Sequence, residues 1–88
     1  MAQKYGVEFT EAARRELGAL PREAQALIRP RIDALTDDPR PAGSKKLTSM
    51  AADLYRIRVG NYRVVYAVED DILVVLVVRV AHRKDVYL

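Results

Sequence analysis

The sequence predicts an α+β domain in which an N-terminal strand and a helical hairpin pack on one face of a four-stranded, mainly antiparallel sheet. Three observations carry this prediction. Residues 5–9 alternate apolar and polar side chains. Residues 11–36 bring apolar side chains round at helical spacing. Residues 54–81 form three runs rich in valine, tyrosine and isoleucine, separated by Gly60-Asn61 and Asp70-Asp71. A chain of 88 residues can bury one modest core and no more, so residues 1–88 read as a single domain.

Each element follows from local chemistry. Tyr5, Val7 and Phe9 alternate with Gly6 and Glu8 as a short first strand. Thr10 is a helix cap, and Ala13, Leu17 and Leu20 are the buried stripe of a first helix that Gly18 should end. Pro21 suits the first turn of a second helix running to about residue 36, with Ala24, Leu27, Ile28, Ile32 and Leu35 inward. Pro30 lies off that stripe and should kink the helix on its solvent side. Residues 37–53 read as a long loop, broken by Pro39, Pro41 and Gly43 and followed by Ser44-Lys45-Lys46-Leu47. Strands are expected over 54–59, 62–69 and 72–81, joined by two-residue hairpin turns.

Composition excludes several classes. There is no cysteine, so neither disulfides nor thiolate metal sites are expected. With one histidine, a zinc site would have to rely on carboxylates, so neither a metal nor a cofactor is expected. The N-terminus has no apolar signal core, and the apolar run 72–78 is too short to span a bilayer. A cytoplasmic protein with no membrane partner is the expectation. A net charge of +3 favours an acidic partner.

The placement of the cations says more than their number. A two-residue turn at Gly60-Asn61 pairs Arg58 with Arg63 and puts Ile57, Val59, Tyr62, Val64 and Tyr66 on one face. Arg56, Arg58 and Arg63 share the other. Like charges directly opposite on neighbouring strands repel, and a sheet that accepts this cost usually has an anion to bind. Each arginine alone reads as solvated surface whose stem covers Val65 or Val78; three converging on one face read as an anion site. Pairing through Asp70-Asp71 adds Val78, Val80 and His82 to the arginine face. Glu69, Asp70 and Asp71, with Asp53 nearby, form an acidic end at the second turn, and such a field steers polyanions to the basic end.

These residues resemble the RelE/ParE superfamily of toxins from bacterial type II toxin–antitoxin systems. The likeness rests on the element order, Pro-Arg-Pro then Lys-Lys-Leu in the loop, Tyr55-Arg56-Ile57-Arg58, Tyr62-Arg63-Val64-Val65-Tyr66, and the ending His82-Arg83-Lys84-Asp85-Val86-Tyr87. The ending looks closer to RelE than to ParE. The resemblance implies a short C-terminal helical segment and a ribosome-dependent, metal-independent endoribonuclease that cleaves mRNA in the decoding site. It also implies an acidic, RelB-like antitoxin that silences the toxin, and operator DNA bound through that antitoxin.

Cleavage of this kind has the RNA 2′-OH attack the adjacent phosphate. A base must take a proton, cations must stabilise the dianionic transition state, and an acid must protonate the leaving 5′-oxygen. Arg56, Arg58, Arg63 and Arg83 match family positions that hold the phosphate, and Tyr87 matches a terminal tyrosine that stacks on or orients the substrate. Lys45, Lys46, Arg79 and Lys84 are candidate RNA contacts. Some RelE proteins carry lysines where this chain has Arg56 and Arg58. Arginine stays protonated and cannot serve as base, so His82 is the leading candidate, with Tyr87 and Lys84 behind it. The alternative for His82 is a solvated residue at a strand end, and for Tyr87 an anchor docking the tail on the sheet. Two other functions remain open at this point: a ParE-like inhibitor of DNA gyrase without nuclease chemistry, and a degenerate member acting only in antitoxin binding and autoregulation.

Overall fold

A computed structural model describes residues 4–47, 53–82 and 84. The elements run β1 (Gly6–Phe9), α1 (Glu11–Ala19), α2 (Arg22–Ala34), β2 (Lys45–Leu47), β3 (Leu54–Val59), β4 (Tyr62–Glu69) and β5 (Val74–His82). They build one five-stranded sheet in the order β1-β5-β4-β3-β2, antiparallel except for the parallel pair β1–β5. Both helices lie on one face. No helix among the described residues is long and apolar enough to cross a membrane.

Local signals place the helices. The Thr10 hydroxyl accepts from the Ala13 amide at 3.1 Å and starts α1. Gly18 does not end that helix, which continues through it to Ala19; Gly18 is exposed in the last turn, where it costs little. The Gln25 side chain donates to the Leu20 carbonyl at 3.0 Å and ties α2 to the end of α1. Ala24, Ile28, Ile32 and Leu35 are buried as expected, but Leu27 is 58% exposed and points away from the sheet. Pro30 is accommodated inside α2 on its exposed side. The helices close over Ile57, Val59, Val64, Tyr66, Val75, Val77 and Val80, which form the core with Ala13, Leu17 and the α2 stripe.

Three expectations about the sheet need correction. Residues 45–47, read as loop, form an edge strand antiparallel to β3. A run of three residues beginning with two lysines carries little strand propensity, so the neighbour's unpaired backbone edge, not the sequence, recruits it. The second turn spans residues 70–73 rather than two residues, because Glu69 pairs with Val74 and Leu73 takes a left-handed backbone at φ 54°. Ile72 therefore leaves the strand and is 69% exposed.

The third correction decides the faces. The β4–β5 register shifts between Val65 and Tyr66: Tyr66 pairs with Val77 but Val65 with Arg79, leaving Val78 as an extra residue. The longer turn moves the pairing by two residues and keeps the faces. The bulge moves it by one and exchanges them for everything beyond it. Val80 is consequently in the core at 1% exposure, and His82 shares the helix face with Tyr62, not the arginine face.

Candidate functional site

The face of the sheet away from the helices carries the cations. Strand pairing sets Lys45 opposite Arg56 and Arg56 opposite Val65, which in turn faces Arg79. The adjacent row sets Arg58 opposite Arg63 and Arg63 opposite Ala81. Directly opposed side chains on one face stand about 5 Å apart at Cβ, and residues two apart along a strand about 7 Å. Lys45, Arg56, Arg58 and Arg63 therefore form a compact basic patch spread over three strands. Among the described residues none of the four has an ion-pair partner.

The patch bears the marks of crowded positive charge. Desolvation, then the charges of Arg58 and Arg63, hold the Arg56 guanidinium below its ordinary value. Arg63 Nε is buried with no hydrogen-bond partner among the described residues. Val65, on the same face between Arg56 and Arg79, is fully buried, so this is not a bare solvated surface. An oxyanion held between Arg56, Arg58 and Arg63 would supply the acceptors that these donors lack.

Arg56, Arg58 and Arg63 thus come together as the alternation of residues 54–66 requires. Arg79 joins their face through the bulge, but its Nε donates to Glu16 Oε2 on α1 at 2.9 Å, so it is a rim cation already neutralised. Lys46 falls on the helix side, in register with Tyr55, and pairs with Asp53 at 3.5 Å. His82 meets Tyr62 edge-on at 5.7 Å between centroids, and its Nδ1 accepts from the exposed Lys84 amide at 3.3 Å. Arg83, Tyr87 and the expected C-terminal helical segment lie outside the described residues.

A second polar cluster had no counterpart in the sequence reading. Arg40, from the Pro-Arg-Pro stretch, grips Asp70 with two hydrogen bonds of 2.8 and 3.3 Å, donates to the Tyr55 hydroxyl at 2.9 Å and lies over the Tyr55 ring. Tyr5 donates to the same Asp70 carboxylate at 2.6 Å. Tyr66, stacked on Tyr55, donates to the Pro39 carbonyl at 2.7 Å. Together these bonds fasten residues 39–40 to the acidic end of the sheet and set the path that delivers Lys45 to the basic patch. The hydrogen-bonded pairs lie 15 to 65 residues apart, which no local signal reveals.

Comparison with known proteins gives a consistent picture. Residues 7–87 match the family described as ParE toxin of the type II toxin–antitoxin system, parDE. The chain is 37% identical to Toxin RelG of Mycobacterium tuberculosis over 84 residues, covering 94% of this chain and 95% of that protein. Its fold matches the toxin–antitoxin complex RelBE2 of Mycobacterium tuberculosis with a TM-score of 0.81, at 32% identity over 97% of this chain and 98% of the other. The archaeal RelE–RelB complex of Pyrococcus horikoshii matches at 0.80 and 28% identity, covering 94% and 99%. The isolated RelE toxin of E. coli matches at 0.77 and 29%, covering 89% and 83%.

Proposed function

The chain belongs to the RelE/ParE superfamily of type II toxin–antitoxin toxins, and from that premise we propose that it is an mRNA-cleaving endoribonuclease of RelE type acting on the ribosome. The observation that carries the reading is the basic patch of Lys45, Arg56, Arg58 and Arg63 on the open face. A scissile phosphate goes from one negative charge to two as the 2′-oxygen attacks, and convergent guanidinium groups in a partly desolvated site offset that charge more in the transition state than in the ground state. Arg56, Arg58 and Arg63 hold the phosphate in this scheme, and Arg83 and Tyr87, which the family resemblance assigns to the same chemistry, complete the set. His82 faces the helices and is left outside it. Relatives crystallised with RelB support an antitoxin of that kind as partner, covering the basic face with acidic side chains.

The test is induced expression with mapping of mRNA 5′ ends, alongside Arg63→Ala. Cuts at fixed codon positions in translated frames, lost in Arg63→Ala while its far-ultraviolet circular dichroism stays native, are the expected result. The ParE family match favours a second reading, inhibition of DNA gyrase by binding alone. Loss of supercoiling activity with intact mRNA would establish that reading instead.

A further inference from the structure

In the nuclease reading the basic patch holds the phosphate but leaves unanswered what removes the 2′-OH proton. Three of its members are arginines, which stay protonated, so the base must come from another residue type. His82, the leading candidate from sequence, sits on the opposite face beside Tyr62. Tyr5, Tyr55, Tyr62 and Tyr66 also belong to the helix side. Glu8 and Glu69 are carboxylates on the open face, but β5 and β4 separate Glu8 from Arg56, and Glu69 lies four residues along β4 from Val65, the partner of Arg56; each is roughly 13 to 14 Å away at the usual strand spacings.

Lys45 is different. It lies in β2, directly opposite Arg56, on the same face as Arg58 and Arg63. Its side chain is exposed and makes no ion pair among the described residues, whereas its neighbour Lys46 is engaged by Asp53 on the other side. The charged groups facing it are Arg56 across the strand and Arg58 and Arg63 in the next row, all cations. An amine can give up its proton where a guanidinium cannot.

We infer that Lys45, delivered to the patch by the edge strand β2, is the catalytic base of the cleavage reaction. The inference rests on the nuclease reading above. The unprotonated Nζ takes the 2′-hydroxyl proton, and the 2′-oxygen forms a bond to phosphorus. The bond from phosphorus to the 5′-oxygen breaks, its electron pair leaves with that oxygen, and water supplies the proton that completes the 5′-hydroxyl. The other product is a 2′,3′-cyclic phosphate, and Lys45 returns its proton to solvent.

The experiment uses the full-length chain and ribosomes programmed with a defined mRNA, comparing wild type, Lys45→Arg, Lys45→Gln and Arg63→Ala in single-turnover cleavage across pH 6 to 9. Lys45→Arg keeps the charge and removes the base. It should slow cleavage by about a hundredfold or more, the usual contribution of a positioned base, hold mRNA–ribosome binding within about threefold, and remove any rise in rate with pH that wild type shows. Lys45→Gln should lose the same rate and bind more weakly. Wild-type rate and pH profile in Lys45→Arg would overturn the inference while leaving the nuclease reading intact, provided Arg63→Ala is dead. A loss of rate in Lys45→Arg fully accounted for by lost binding would also overturn it, making Lys45 a phosphate contact only. Absence of cleavage by wild type would remove both the inference and the reading beneath it.

Discussion

Glu16 on α1 grips β5 twice: Oε2 accepts from Arg79 Nε at 2.9 Å, and Oε1 accepts from the Val80 backbone amide at 2.9 Å. The bond is needed because β1 ends at Phe9, after which Thr10 turns away, bonded to the Val77 and Val78 carbonyls. Beyond that point no strand among the described residues lies beside the outer edge of β5, and the first helix covers it with one carboxylate.

Glu16→Ala should cost about 1–3 kcal/mol, because it leaves the Val80 amide without its acceptor as well as breaking a charged bond. Glu16→Gln keeps one acceptor oxygen for the Val80 amide but turns its NH2 toward Arg79 Nε and loses that charged bond, so it should cost less than Glu16→Ala without being neutral. Urea unfolding midpoints for the two variants check the order.

Tyr66 is fully buried on the core face, with its hydroxyl donating to the Pro39 carbonyl. Tyr66→Phe should destabilise the fold by about 1–3 kcal/mol through the unpartnered carbonyl. Burial also pushes the hydroxyl up to about 12 from an ordinary 10.0. The folded chain then holds this proton more tightly than the unfolded one, so the contribution is whole below pH 10 and fades as pH rises toward 12. Wild-type stability should decline over that window, and Tyr66→Phe should decline less.

Asp70 shows the opposite sign. The hydrogen bonds from Arg40 and then Tyr5 hold its carboxyl below the ordinary 3.8. Its contribution is present above that value and is lost as pH falls further. Wild type should therefore lose stability more steeply below pH 3.8 than Asp70→Asn does, as acid titration followed by circular dichroism would show.

Arg58 faces Arg63 across β3 and β4, and opposed like charges on a sheet cost about 0.2–1 kcal/mol. Arg58→Ala should stabilise the fold by that much at low salt while weakening the proposed RNA cleavage. Inorganic phosphate should stabilise wild type more than the variant, because an anion that binds only the folded patch shifts the equilibrium toward it. Thermal melts with and without phosphate test both statements.

Much of this was readable in the chain. The strand–helix–helix–meander order, the Thr10 cap, the turn at Gly60-Asn61 and the pairing of Arg58 with Arg63 all follow from periodicity and short-range chemistry. Gly60 takes a positive φ of 59° in that turn, as its lack of a Cβ permits. Where reading failed, the missing information was non-local. Ile72 and Leu73 have strand-forming side chains, yet they lie in a turn because Glu69 closes on Val74. Lys45 and Lys46 belong to a strand because β3 offers a free edge. Arg40 finds Asp70 only after the sheet exists.

The sequence by itself determined the class of fold and the convergence of Arg56, Arg58 and Arg63, because alternation along two strands and one tight turn leaves no other arrangement of those side chains. Tertiary structure alone decided which remaining groups join them. One extra residue at Val78 reverses the facing of everything after it, sending His82 to the helices and Arg79 to the open side. An edge strand of three residues brings Lys45 to Arg56. Both outcomes depend on backbone pairing between distant segments, and hydrogen bonds between N–H and C=O groups are blind to the side chains they carry.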